Sequence, residues 1–160
     1  MFEKLHFREV NPNDSLLLFE LRNDVEVREN SIKNNPIKWD EHSDWFNNIL
    51  NDDTKFLYLF FRDSIFLGQV RFDIFNDEAN INISITKSFR GQGFSKELII
   101  KSIDKLLKTH SHVKKIVAYI RPQNQASIKS FTKVGFVFSE LVEINDDQFN
   151  KYLLFRESYE

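Results

Sequence analysis

The chain contains no cysteine. A disulfide, a thiol nucleophile and a cysteine-ligated zinc or iron–sulfur site are therefore excluded. Glycine and proline are scarce as well, four and three in 160 residues, so no flexible linker or low-complexity stretch divides the chain. No apolar run approaches the ~18 residues that would span a bilayer. The opening MFEKLHFREV lacks the basic and then apolar pattern of a secretory signal. An excess of charge of either sign is missing too. Lys and Arg total 22 against 24 Asp and Glu, a net charge of −2, whereas nucleic-acid binders carry a basic excess on one face. We therefore expect a cytoplasmic protein with neither nucleic acid nor membrane as partner.

What is present is a single stretch of patterned sequence, read as one domain over residues 1–160. That length can bury roughly 70% of the surface an unfolded chain exposes. Seventeen Phe and fifteen Asn stand against three Ala, and most of the Phe fall at core periodicity. Residues 4–10 alternate as a first strand, and Asn11-Pro12-Asn13-Asp14 predicts a turn with Asp14 as helix cap. The helix SLLLFELRND follows. Val25 and Val27 are read as a short turn, and 31–38 as a loop. A second helix is predicted over 40–50, capped by Asp40. Strands at 55–62, 65–75 and 79–86 are separated by the turn residues Asp63-Ser64 and Asn76-Asp77-Glu78, which predicts an antiparallel meander. A loop over 87–95 leads to a long helix with Leu98, Ile99, Ile103, Leu106 and Leu107 on its core face. A strand at 115–120, a helix at 127–134 closed by Gly135 and strands near 136–144 and 149–156 complete the order β-α-α-β-β-β-α-β-α-β-β. This is an α/β class with a mixed sheet.

Two junctions carry the chemistry. Arg90-Gly91-Gln92-Gly93-Phe94-Ser95 lies between a strand and the long helix. Glycines there allow close backbone approach, and a helix N-terminus offers unpaired N–H groups and a positive dipole end, a cradle for phosphate. It lacks the Lys-Ser/Thr of a P-loop and the spacing of the dinucleotide fingerprint. About thirty residues downstream, Asn124-Gln125-Ala126-Ser127 opens the next helix, which ends in Lys133-Val134-Gly135-Phe136.

This pair of segments resembles the GCN5-related N-acetyltransferase (GNAT) superfamily, whose motifs are Arg/Gln-x-x-Gly-x-Gly/Ala, then Asn-x-x-Ser/Ala and a closing Lys-x-Gly-Phe. The resemblance implies a GNAT fold, a mostly antiparallel sheet of about seven strands with about four helices, and acetyl-CoA as co-substrate. It implies that Arg90, Gly91, Gln92, Gly93, Phe94 and Ser95 wrap the pyrophosphate. It implies further that the backbone of Ile85 and Thr86 pairs with the pantetheine arm, and that Asn124 contacts that arm. Ser95 departs from the usual Gly or Ala. Phe131 stands where many members have a Tyr that protonates the leaving thiolate. Ser127, four residues earlier on the same helical face, resembles a serine used near the sulfur in some relatives. A base must also take the amine proton, and His42, Glu41, Asp73 and Glu78 are the candidates, with His42 named first.

The N-terminal half resembles acetyltransferases of nucleotide-linked amino sugars, of the pseudaminic acid pathway type. The segments concerned are Leu21-Arg22-Asn23-Asp24-Val25-Glu26-Val27-Arg28 and Pro36-Ile37-x-Trp39-x-Glu41-His42-x-x-Trp45-Phe46, with Leu21 in place of a Trp. The resemblance implies substrate contacts at Arg22, Asn23, Arg28 and Trp39. The two arginines suit a diphosphate and the Trp a base or sugar face. The expected activity is direct acetyl transfer from acetyl-CoA to the primary amine of a nucleotide-linked amino sugar. The alternatives are acetylation of protein N-termini, and a non-catalytic acyl-CoA-binding domain, for which Phe131 speaks. A homodimer is compatible with an exposed edge strand or the Phe-rich 56–75 region.

Overall fold

The computed structural model describes residues 4–159. Hydrogen bonding gathers the β-rich stretches into one seven-stranded sheet in the order β1-β2-β3-β4-β5-β7-β6. Its strands are β1 (Leu5–Glu9), β2 (Lys55–Arg62), β3 (Ile65–Phe75), β4 (Glu78–Ile85), β5 (Lys115–Ile120), β6 (Val137–Ile144) and β7 (Asp147–Phe155). All neighbours are antiparallel except β4 and β5. The turns behave as their residue types dictate. Asp63, Asn76, Asn145 and Asp146 take positive φ, from 52° to 67°, and two such residues in succession at 145–146 give the hairpin between β6 and β7 a twist that matches its strands.

Period-two alternation puts different chemistry on the two faces. One face carries Tyr58, Phe60, Val70, Phe72, Ile81, Ile116 and Ala118, closed over by α4 (Phe94–Thr109) and α5 (Gln125–Val134). Leu98, Ile99, Ile103, Leu106 and Leu107 are buried there, as their spacing predicts. The other face is apolar in two places, at Val117 and Phe149 on β5 and β7 and at the β2 end. Leu57 and Leu59 pack beneath Leu18 of α1 (Ser15–Asn23) and Phe46 and Ile49 of α3 (Trp39–Leu50). Further along, that face turns polar at Gln69, Arg71, Asn82 and Ser84. Arg156, at the start of α6 (Arg156–Tyr159), satisfies the open carbonyls at the end of α4: Nε donates to Val113 (2.6 Å), Nη2 to His110 (2.7 Å) and Nη1 to Leu107 (3.3 Å).

Two local expectations are corrected and one is refined. Residues 25–30 form a helix, α2 (Val25–Asn30), because the Asp24 carboxylate accepts from the Val27 N–H and caps it. Asp14 holds the N-cap position of α1, as expected, but its side chain makes no cap bond there. Asn11 caps a single 3₁₀ turn, and the buried Asp14 carboxylate takes both guanidinium nitrogens of Arg8 (2.7 and 2.9 Å) and the Asn11 N–H (2.8 Å). Asp40 lies inside the first turn of α3, whose N-cap is Lys38 with no side-chain cap bond. No helix among the described residues is long and apolar enough to cross a membrane.

Candidate active site

The parallel neighbours β4 and β5 pair over only three residues each, Glu78–Asn80 against Lys115–Val117. Beyond that point the strands diverge and leave a cleft of about 490 Å³. Its walls are Ile81 to Ile85 on one side and Ala118 to Ile120 on the other, and its ends are closed by α2, the start of α4 and the start of α5. Along β4 the backbone groups alternate in direction. Those of Thr86 and Ser84 face β3, with the Thr86 N–H donating to Leu67 O (2.9 Å). Those of Ile81, Ile83 and Ile85 point into the cleft. Of the two residues expected to pair with a pantetheine arm, Ile85 thus has its N–H directed there, whereas the Thr86 N–H is already engaged. Ile83, which the motif comparison missed, follows from strand alternation alone. Gly68 lets the β4 wall sit where it does, since a Cβ on it would lie 2.4 Å from Ser84 O.

At the mouth of the cleft the Arg90 loop turns into α4. Gly91 and Gly93 have φ of 74° and 85°, and a Cβ on either would meet no protein atom within 4 Å. The space beside them is open, so these glycines serve a backbone conformation and access from outside rather than internal packing. Gly93 is the N-cap of α4 and gives it no side-chain cap bond, which leaves the first-turn N–H groups of Phe94 and Ser95 facing the opening. A pyrophosphate fits this donor set. Arg90 itself points the other way. Its Nε donates to Ile85 O (2.9 Å), Nη2 meets Asp24 (2.6 Å) and Nη1 meets Glu26 (2.8 Å). It pins α2 to the end of β4 and neutralises the two carboxylates nearest the cleft. Gln92 folds back onto Ser88 O (2.8 Å).

At the other end, Asn124 caps α5. Its Oδ1 accepts from the Ser127 N–H (3.3 Å) and its Nδ2 donates to Ser127 Oγ (3.1 Å). The Ser127 hydroxyl keeps its own proton and lines the cleft. Phe131 is buried, edge-on to Phe136 at 5.0 Å, with part of its ring on the cleft wall. Arg121, which sequence reasoning passed over, is buried at the end of β5. It donates twice to Ser31 O (2.6 and 3.1 Å) and meets Asp147 at 3.3 Å, so it holds the end of α2 against the β6–β7 turn.

None of the four candidate bases stands free in the cleft. His42 is fully buried, with Nε2 donating to Ser15 O (2.8 Å) and Nδ1 accepting from Arg22 (3.0 Å). Burial, seconded by the Arg22 charge, holds its pKa below the ordinary value against the pull of the Ser15 bond. A neutral ring with both nitrogens engaged has no lone pair to offer an incoming amine. Asp73 is paired with Lys55 and Arg71, Glu78 pairs with Lys115 at 2.9 Å, and Glu41 is exposed on α3.

The expected substrate residues separate into two groups. Asn23 clips the loop that follows α2, giving a hydrogen to Ile37 O (2.8 Å) and taking one from Ile37 N (2.7 Å). Arg28 donates to the Asn23 and Asn34 carbonyls. Both are spent on backbone. Arg22 lies over the Trp45 ring at 3.9 Å, and Arg71 approaches the same ring at 5.8 Å. No carboxylate of the described residues forms an ion pair with Arg22. Burial and then the Arg71 charge pull its pKa down to about 10, with Glu41 opposing. Trp39 is exposed and edge-on to Phe19. Arg71 faces Asn82 across the strand pair, so this cationic patch begins one strand spacing from the cleft wall.

A strand splay, glycines that pack against nothing and an open helix N-terminus now stand together, and a model of the acetyltransferase (GNAT) domain family matches residues 4–137. The chain belongs to the GNAT acetyltransferases. It is therefore an acyltransferase with acetyl-CoA as co-substrate. No curated protein matches this GNAT chain in sequence. Among solved structures, the spermidine N-acetyltransferase of Vibrio cholerae in complex with CoA and spermine superposes with a TM-score of 0.86 at 19% identity, covering 97% of each chain. The aminoglycoside acetyltransferase AAC(6')-Ib in complex with coenzyme A gives 0.82 at 16% identity, over 98% of this chain and 97% of that one. An uncharacterized protein of Bacillus halodurans gives 0.83 at 20% identity, over 98% and 86%. At these identities the likeness is one of fold.

Proposed function

We propose that this acetyltransferase transfers acetyl directly from acetyl-CoA to the primary amine of a nucleotide-linked amino sugar. The observation that carries the acceptor class is the charge beside the cleft. Glu26, the carboxylate lining the cleft, and Asp24 beside it on the α2 cap are both paired with Arg90 and so are not free to attract a polycation. Arg22 is half-buried without a carboxylate, next to a second guanidinium. Keeping a guanidinium so poorly compensated is costly, and an anionic group carried by the acceptor would relieve it. A diphosphate is taken well by such a fork, and the exposed Trp39 gives a base or sugar ring a face to lie on. The segments from Leu21 to Arg28 and from Pro36 to Phe46, which resemble those of amino-sugar acetyltransferases, are the ones that build this patch.

In this reading the α4 N-terminus and the Gly91–Gly93 backbone hold the cofactor's pyrophosphate. The Ile83 and Ile85 backbone groups extend β4 with the pantetheine arm, and Asn124, besides capping α5, borders that arm. An N–H of β4 polarises the thioester carbonyl. The Ser127 hydroxyl lines the cleft at the start of α5 and borders the sulfur as a hydrogen-bonding group that keeps its own proton. With no free carboxylate or imidazole lining the cleft among the described residues, the amine enters neutral and acceleration comes mainly from placing it against the carbonyl.

The test is thiol release from acetyl-CoA with UDP- and dTDP-linked amino sugars, spermidine and free-N-terminus peptides as acceptors. Turnover confined to the sugar nucleotides is expected. Arg22→Gln, which keeps a donor for His42, is expected to raise their KM at least tenfold with kcat nearly unchanged. Turnover confined to peptides or to spermidine would overturn the acceptor, and acetyl-CoA binding without turnover on any amine would leave a binding domain.

A further inference from the structure

Phe131 puts a ring without a proton where a hydroxyl could have met the leaving sulfur, yet among the described residues one tyrosine lines the cleft. Tyr119 lies on β5, just past the last residue paired with β4, and lines the cleft across from the start of α5. It is half-buried, between the buried Ala118 and Ile120, which turn to the opposite face of the sheet. No side-chain hydrogen bond of the described residues involves its hydroxyl. The other ionisable groups lining the cleft, Glu26 and Arg90, are paired with each other at 2.8 Å. Every other hydroxyl that the described residues bring to the cleft belongs to a serine, a far weaker acid than a phenol.

We propose that Tyr119 is the proton donor to the leaving thiolate, replacing from β5 the hydroxyl that α5 lacks at Phe131. This rests on the acetyl-transfer reading above but not on the identity of the acceptor. As the C–S bond breaks, its electron pair stays on sulfur, and sulfur takes the phenol hydrogen. The phenolate then receives the hydrogen shed by the newly acylated nitrogen, so one proton has moved from nitrogen to sulfur and Tyr119 ends unchanged. Phenols and thiols have ordinary pKa values within about two units of each other, so neither proton step is strongly uphill. The charged groups around the phenol are Lys151, opposite on β7 and paired with Glu140, then Arg121 two residues on, and the Glu26–Arg90 pair at the cleft wall.

The experiment compares the full chain with Tyr119→Phe for thiol release from acetyl-CoA, using hydroxylamine in place of the natural acceptor. Coenzyme A binding is measured by calorimetry alongside. The expected result is a kcat lowered by about 10²–10⁴-fold, with KM for acetyl-CoA and coenzyme A affinity unchanged. Adding Phe131→Tyr to Tyr119→Phe is expected to restore at least tenfold of the loss. Activity of Tyr119→Phe within threefold of the unsubstituted protein would overturn the proposal, as would kcat and coenzyme A affinity falling together. If the unsubstituted protein releases no thiol above background, the acetyl-transfer reading fails as well, so the two failures are told apart.

Discussion

His42 sits among four aromatic rings, Phe19 at 5.2 Å, Trp39 at 5.6 Å, Trp45 at 5.5 Å and Phe46 at 6.0 Å between centroids. Its two nitrogens bridge α1 to itself by way of Ser15 and Arg22. Removing it leaves a hole and an unmet carbonyl, so His42→Ala is expected to cost about 3 kcal/mol in denaturant unfolding. Coenzyme A affinity should survive in the fraction that folds. Because burial depresses its pKa in the folded state, the native form binds fewer protons than the unfolded one. The contribution is whole above the unfolded pKa of about 6.5 and shrinks as pH falls below it. A Tm measured across pH 7.5 to 5 should drop, and the drop should flatten in a His42→Phe variant. The residue type was visible in the sequence, but its role was not. A histidine on α3 reads the same whether its neighbours are water or four rings, and only the fold supplies the rings. Phe131 is the opposite case, since the absence of a hydroxyl is a local fact that any structure must respect.

Elements differ in how far their sequence speaks for them. The strands, the long helix and the Asn-Asp turns were legible because periodicity and turn chemistry are local. The Arg90–Ser95 loop was legible because a helix start with unused donors needs glycines in the left-handed region. The short α2 was missed, because six residues carry too little periodicity, although its cap, Asp24, was in plain view. Asn23 and Arg28 were expected as substrate contacts from the resemblance of the Leu21–Arg28 segment, and their hydrogen bonds to backbone had no local signal because the partners at Ile37 and Asn34 are brought up by the fold. Two outcomes follow from this reading of the elements. Gly93→Ala forces a side chain into positive φ, at a stability cost of about 1 kcal/mol, and places a methyl in the open space by the α4 N-terminus. Coenzyme A affinity by calorimetry is expected to weaken more than tenfold, with only a small change in Tm. Asn23→Ala frees the segment over 31–38, and limited proteolysis should cut there faster than in the unsubstituted protein while the sheet stays intact.

Over the whole molecule the acid side of the stability curve is set by paired carboxylates, Asp14 with the nearby Arg8 and Asp24 with the distant Arg90. Burial pushes the Asp14 pKa up, but the Arg8 hydrogen bonds, the Asn11 N–H and the Arg8 charge outweigh it and hold the carboxyl below its usual range. Asp24 is likewise held low against burial by Arg90 and the Val27 N–H. Folded values below unfolded ones mean that both contributions are present above about pH 4 and are lost as pH falls further. Urea midpoints should therefore decline steeply below that pH, and less so in Asp24→Asn. The sheet order was legible up to the meander, where neighbours in sequence are neighbours in space. The insertion of β7 between β5 and β6 was not, since nothing local in a hairpin says which of its strands faces inward.

The three-residue seam between β4 and β5 has a mechanical consequence. It makes the sheet two panels, four strands on one side and three on the other, sharing a short hinge and the helices that lie across it. Amide exchange should then report two cooperative units rather than one, with slow protons inside each panel and faster ones at Ile83 and Ile85, whose N–H groups face the cleft. A molecule lodged between the panels serves them as mortar as well as reactant, and each round of catalysis leaves the joint open until the next one arrives.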